Sequence, residues 1–152
     1  MNEQNIISKY VPNFITLLSL SSGFTSIRFS LNSEWELAIY LILLATIFDF
    51  FDGWFARKLK SGSNFGAELD SLSDFVSFGV APSCLIYMWS THSLGSLGWG
   101  ATLFFVICSA LRLARFTADI YITNKPIDNN EFFVGLPSPA AAGLILLPLF
   151  IY

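Results

Sequence analysis

Charge, histidine and cysteine are all scarce in this chain. Only 12% of its 152 residues are charged while 54% are hydrophobic, and the mean hydropathy is +0.61. That balance excludes an ordinary soluble domain. The net charge of -3 comes from acids that cluster, and no basic surface is left for nucleic acid. The sole histidine, His92, falls in a short polar connector, so histidine-based catalysis is not expected. Cys84 and Cys108 lie in separate apolar stretches without short ligand spacing, which makes them buried small hydrophobes rather than metal ligands. No secretory signal peptide is expected either. Residues 1–9 carry one base and one acid, and no small-residue cleavage site follows the first apolar run. Repeats and low-complexity tracts are absent.

What is present is a series of five apolar segments, at about 11–29, 37–57, 66–89, 94–116 and 136–152. Each is near the ~20 residues a helix needs to cross about 30 Å of hydrocarbon. The runs are too long for barrel strands and show no sustained polar–apolar alternation, so helix is preferred over strand. The expected fold is all-α: a polytopic transmembrane bundle of about five helices forming one domain over residues 1–152. The connectors are polar or turn-rich: Asn32-Ser33-Glu34, the stretch from Lys58 to Asn64, Ser90-Thr91-His92-Ser93, and the stretch from Thr117 to Glu131. With the first connector outside, Lys9, Arg57, Lys58, Lys60, Arg112, Arg115 and Lys125 gather at one face and only Arg28 lies near the other. The excess of bases on the cytoplasmic side of membrane proteins then predicts a cytoplasmic amino terminus.

Against this apolar background stand four aspartates, Asp49, Asp52, Asp70 and Asp74, toward the cytoplasmic ends of the second and third segments. A carboxylate near the middle of a bilayer helix costs roughly 2.5 to 3.5 kcal/mol on insertion scales. Four without matching bases require a cation and an aqueous pocket. Oxygen ligands suit magnesium or manganese, with calcium also admissible, and such ions commonly serve phosphate chemistry. At about 100° per residue, Asp49, Asp52, Gly53 and Ala56 share one arc of about 100°, while Phe50, Phe51, Trp54 and Phe55 take the other side. Gly66, Asp70 and Asp74 stack at i, i+4 and i+8 on the third helix. Glu68 points about 160° away from Asp70 and is left out of the metal shell. Taken alone, Gly53, Ala56 and Gly66 would more often be helix-packing residues, Arg57 a cytoplasmic anchor, and Arg112 with Arg115 an interfacial anchor.

The pattern D-x-x-D-G-x-x-A-R, eight residues, then G-x-x-x-D-x-x-x-D, running from Asp49 to Asp74, resembles the signature of the CDP-alcohol phosphotransferases. Val11-Pro12-Asn13-Phe14-Ile15-Thr16-Leu17, the run Phe65 to Pro82, Leu111-Arg112-Leu113-Ala114-Arg115-Phe116 and the run Phe133 to Ala140 are similar to the bacterial phosphatidylserine synthase branch. The resemblance covers nearly the whole chain. Trp54 and Thr117 stand where relatives usually carry Arg and Asn. Since the family usually has six or more membrane helices, a chain shortened at its carboxy terminus is expected.

That likeness implies transfer of the phosphatidyl group from CDP-diacylglycerol to L-serine, giving phosphatidylserine and CMP, in a bacterial inner membrane, by a homodimer. Asp49, Asp52, Asp70 and Asp74 would hold the divalent ion, Mg2+ or Mn2+. Asp74 would also take the proton of the attacking hydroxyl. Gly53, Ala56 and Gly66 would admit the cytidine nucleotide, and Arg57 would contact donor phosphate. Arg112 and Arg115 would hold the serine carboxylate or the diphosphate. Two other readings stand beside this one: the same reaction with glycerol 3-phosphate or inositol phosphate as acceptor, and a noncatalytic cation carrier.

Overall fold

A computed structural model describes residues 3–58, 63–123 and 137–151, with side chains over 10–58, 63–118 and 137–151. Every regular element among the described residues is helical: α1 (Glu3–Leu31), α2 (Trp35–Lys58), α3 (Asn64–Trp89), α4 (Ser96–Thr123) and α5 (Ser138–Ile151). Helices α1 to α4 each contain a stretch long and apolar enough to cross a membrane. The fifth differs from expectation. Its 14 helical residues rise only about 21 Å, short of a full hydrocarbon crossing.

The α1–α2 hairpin closes tightly because Ser33 adopts a left-handed backbone (φ 63°). The amides of Asn32, Ser33 and Glu34 turn back onto the last carbonyls of α1, satisfying acceptors that a helix end leaves open. Helix α3 starts at Ser63, whose Oγ accepts the Gly66 N–H at 3.0 Å, the usual chemistry of an N-cap. It is not a uniform α-helix: Phe75–Val80 form a π-helical stretch between Asn64–Asp74 and Ala81–Trp89. A short 3-10 turn (Thr91–Leu94) and Gly95, at φ 60°, reverse the chain into α4. That helix runs past the expected boundary near residue 116 to Thr123. No glycine or proline occurs between residues 101 and 125 to stop it, and Thr117 Oγ1 folds back onto the Leu113 carbonyl at 2.9 Å.

The apolar core lies toward the 32–34 connector, where Ala38, Ile39 and Ile42 of α2 meet Ala81, Leu85 and Ile86 of α3 and Leu146 of α5. Helix α1 instead presents a buried hydroxyl stripe: Thr16, Ser19, Ser22, Ser26 and Ser30. Ser26 Oγ donates to the Ala38 carbonyl at 2.9 Å and Ser19 Oγ to the Ala45 carbonyl at 3.0 Å, tying α1 to α2. From α3, Ser73 Oγ donates to the Thr16 carbonyl and Ser77 Oγ to the Ser19 carbonyl, each at 3.2 Å. Small residues let membrane helices approach until such bonds form. Gly23 marks a close approach of α1 to α3, since a Cβ there would lie 2.6 Å from Ser77 Cα. Cys84 is half-buried, but Cys108 is exposed on the outer face of α4, contrary to the expectation that both are buried. Helix α4 packs mainly along its other side.

Two substitutions separate backbone approach from hydrogen bonding. Ser77→Ala should cost about 0.6 kcal/mol, the average for a hydrogen bond between membrane helices. Gly23→Ala should cost about 1–3 kcal/mol, as overpacking does, because the new methyl meets backbone. Thermal unfolding in detergent ranks the two, and equal melting temperatures would remove the close approach as a stabilising feature.

Candidate active site

Helices α2 and α3 bring three carboxylates together at the end of the bundle away from the apolar core. One oxygen from each of Asp49, Asp70 and Asp74 lies within 4.8 Å of the others. The Asp49 and Asp74 carboxyls face one another within that distance, an arrangement that needs a proton or a cation between two acids. Asp52, the fourth sequence-selected aspartate, is outside this tight group. It is 4% exposed, lies against Thr16 of α1, and acts on Asp70 and Asp74 through its charge. Asp52 Oδ2, Asp70 Oδ1 and Asp74 Oδ1 are buried without a hydrogen-bond partner. Buried acceptors of this kind are normally satisfied, so orphaned oxygens on three of the four acids fit a bound cation. The spacing fits too: opposite ligands lie about 4.2 Å apart around magnesium and about 5 Å apart around calcium, given their usual metal–oxygen distances. Glu68 is exposed on α3, outside the group.

The two glycines have different surroundings. A Cβ at Gly66 would lie 3.0 Å from Asn13 Oδ1 and 3.2 Å from Ser63 Oγ, so this glycine serves the helix start and its contact with α1. At Gly53 a Cβ would meet nothing within 4 Å. The space before Gly53, one residue from Asp52 and one turn from Asp49, is open. Ala56 is half-buried and Arg57 is exposed at the end of α2. Trp54 packs edge-on against Phe55 and receives Lys58 Nζ over its ring at 4.4 Å, a favourable cation–π placement.

The two α4 arginines separate as well. Arg112 is half-buried and lines a narrow cleft together with Asp74, whereas Arg115 is exposed. Ser109 of α4 and Ser138 of α5 also line this cleft. Neither serine was legible as a site residue, nor was Thr16. Single serines and threonines are common wherever membrane helices touch, and only the assembled bundle shows which of them face an acid. Thr117 places its Oγ1 3.2 Å from Ser71 Oγ across the α3–α4 contact.

The profile of the CDP-alcohol phosphatidyltransferase family matches residues 9–152. A CDP-diacylglycerol–serine O-phosphatidyltransferase of Mycobacterium leprae is 45% identical over 143 residues, covering 91% of this chain and 47% of the relative. One of the same name from Helicobacter pylori is 39% identical over 136 residues, covering 90% and 55%. An archaetidylserine synthase of Methanothermobacter thermautotrophicus is 39% identical over 151 residues, covering 93% and 59%. The chain thus spans about half the length of the curated relatives it matches.

The contrast between the glycines is measurable without any ligand. Gly53→Ala should leave the melting temperature unchanged or raise it, since alanine is favoured over glycine in a helix by about 1 kcal/mol and the methyl meets open space. Gly66→Ala should lower it, because Asn13 and the Ser63 cap must give way. Thermal unfolding of both variants in one detergent reads the difference, and a destabilised Gly53→Ala would show that the space is not open.

Proposed function

The chain belongs to the CDP-alcohol phosphatidyltransferase family, and on that footing we propose that it moves the phosphatidyl group of CDP-diacylglycerol to the hydroxyl of L-serine, giving phosphatidylserine and CMP. The observation that carries this reading is the gathering of Asp49, Asp70 and Asp74 from two helices within 4.8 Å, with buried oxygens left unpartnered. The acceptor is favoured by the names of the relatives, which specify serine for the bacterial enzymes and archaetidylserine for the archaeal one. Against glycerol 3-phosphate or inositol phosphate there is that agreement. Against a cation carrier there is the match of residues 9–152 to the profile of a transferase family.

In this reading Asp49, Asp52, Asp70 and Asp74 hold Mg2+ or Mn2+, with Ca2+ a possible substitute. A cation bound there would neutralise the donor diphosphate and the charge developing on CMP. Gly53 and Ala56 give the nucleotide access to the α2 backbone, and Arg57 reaches donor phosphate from the helix end. Asp74 takes the hydroxyl proton as the serine oxygen bonds to phosphorus and the bond to CMP breaks, CMP leaving with the electron pair. Fixed placement of the hydroxyl opposite the departing CMP supplies the in-line geometry. No covalent enzyme intermediate forms. The bases Arg57, Lys58, Arg112 and Arg115 crowd the acidic end of the bundle, which supports a cytoplasmic site in a bacterial inner membrane. The exposed apolar residues of α4, including Leu103, Phe104, Ile107 and Leu111, suit lipid or a second copy in a homodimer.

Purified protein given CDP-diacylglycerol, Mg2+ or Mn2+, and labelled serine, glycerol 3-phosphate or inositol phosphate in turn should release CMP with serine, and chelation should stop it. Cation flux without CMP release would favour the carrier. Asp74→Asn should lower kcat by about 100-fold or more, the usual range for loss of a general base, while donor binding partly survives. Asp49→Asn and Asp52→Asn should weaken metal-dependent donor binding. Full turnover by the Asp74 variant would remove it from the proton-accepting role. Gly53→Ala should raise the KM for CDP-diacylglycerol despite its intact fold, and an unchanged KM would place the nucleotide elsewhere.

A further inference from the structure

The side of α2 turned away from its acids has a pattern of its own. At about 100° per residue, Leu43, Ile47, Trp54 and Lys58 fall within about 60° of one another, opposite the arc of Asp49, Asp52, Gly53 and Ala56. These four, flanked by Phe50 and Phe51, are exposed on the bundle. About 28 Å of helix separates Trp35, the first residue of α2, from Trp54, close to the ~30 Å of hydrocarbon in a bilayer. Tryptophans gather at headgroup level, so Trp54 marks one interface and Lys58, a turn beyond it, stands among headgroups. Its Nζ lies over the Trp54 ring at 4.4 Å, which keeps the charge at that depth instead of out in water. Charge is unequal along the helix: exposed Arg57 adjoins Lys58, whereas the exposed acids Glu34 and Glu36 flank Trp35 at the other end.

We infer that this face of α2 is a docking site for an anionic phospholipid of the bilayer, its phosphate on Lys58 and its acyl chains along Trp54, Phe50, Ile47 and Leu43. The dimensions agree. From Trp54 to Leu43 the strip runs about 16 Å, about the depth of one leaflet. Charge selects the headgroup, because a zwitterionic lipid carries a cation of its own beside the phosphate, which Lys58 repels, whereas an anionic headgroup brings no such penalty. Each lysine or arginine at headgroup level favours anionic lipid by about fivefold. The strip faces away from Asp49 and Asp52, so the lipid held there is not one that reacts, and its binding needs neither the divalent ion nor the phosphatidyl-transfer reading above. The indole supplies the flat apolar wall against which the upper part of the chains rests, and the cation–π contact keeps the ammonium above that wall.

The test is quenching of tryptophan fluorescence by brominated lipid chains, with the whole 152-residue chain in phosphatidylcholine vesicles free of CDP-diacylglycerol and divalent ions. Brominated phosphatidylglycerol and brominated phosphatidylcholine are added in turn at equal fractions. Each measurement is repeated in a Trp54→Phe background, which keeps an aromatic ring in the strip, so that the difference isolates Trp54. Phosphatidylglycerol should bind beside Trp54 about fivefold more tightly than phosphatidylcholine, the effect of one base. Lys58→Gln should cut that preference at least about threefold, and Lys58→Arg should keep it. The other three tryptophans, Trp35 and Trp89 against the apolar core and Trp99 beside Tyr87, should show no such preference in any variant. Equal quenching of Trp54 by the two lipids would overturn the assignment, as would a preference that survives Lys58→Gln. Absence of quenching by either lipid would show the face covered by protein, such as a second copy of the chain, and would overturn it too.

Discussion

The contact on which the rest of this bundle depends is the approach of α1 to α3 at Gly23 and Ser77. In hydrocarbon there is no water to reward the burial of apolar surface between helices, so association rests on close packing and on hydrogen bonds that only near backbones can make. Helix α1 supplies both. Its hydroxyl stripe and glycine let α3 come near enough for Ser73 and Ser77 to donate to the Thr16 and Ser19 carbonyls, and Ser19 and Ser26 in turn donate to α2. A single helix without acids of its own in the site therefore sets the separation of the two helices that carry them. Thr16 and Asn13, lying against Asp52 and Gly66, extend the same spacing to the acidic end.

Once α2 and α3 are held at that distance, their carboxylates cannot avoid one another. Two unit charges 4.8 Å apart repel by roughly 3.5 kcal/mol at an effective dielectric of about 20. The group is therefore untenable as bare anions, and the buried unpartnered oxygens of Asp52, Asp70 and Asp74 describe where compensation must come from. The unfavourable placement follows from the packing of α1, which is made elsewhere in the bundle, and a hard cation is the partner whose chemistry fits oxygen-only ligands. Structure and proposed function meet in that requirement.

Much of this was legible in the chain itself. Hydropathy and connector composition placed the four long helices to within a few residues at most boundaries. The i, i+4 relation of Asp70 to Asp74, and the shared arc of Asp49 and Asp52, marked the site residues by their cost alone. What escaped is what depends on neighbours. Single-helix geometry cannot distinguish Gly66, pressed against Asn13 and Ser63, from Gly53, which faces open space. It could not show that Asp52 lies against Thr16 while the other three acids gather within 4.8 Å. It could not separate Arg112 from Arg115, because an i, i+3 pair diverges by about 60° and only the position of α5 decides which one enters a cleft. The end of α4 was missed because polarity marks where a helix leaves the bilayer, whereas nothing in 117–123 forbids it to continue.

The π-helical stretch Phe75–Val80 lay outside any reading based on a 3.6-residue period, and it explains why Asp74 can serve two surroundings. Residues four apart on an α-helix drift by about 40° at each step, so a row of contacts at that spacing winds away from its neighbour. A turn closed by i→i+5 bonds is wider and takes the drift back. Placed directly after Asp74, it keeps Ser73 and Ser77 both directed at α1 while Phe78 and Gly79 follow Asp74 into the cleft beside Arg112. The local departure from regular helix thus lies directly beside the one aspartate that belongs both to the acidic group and to the cleft lined by Arg112.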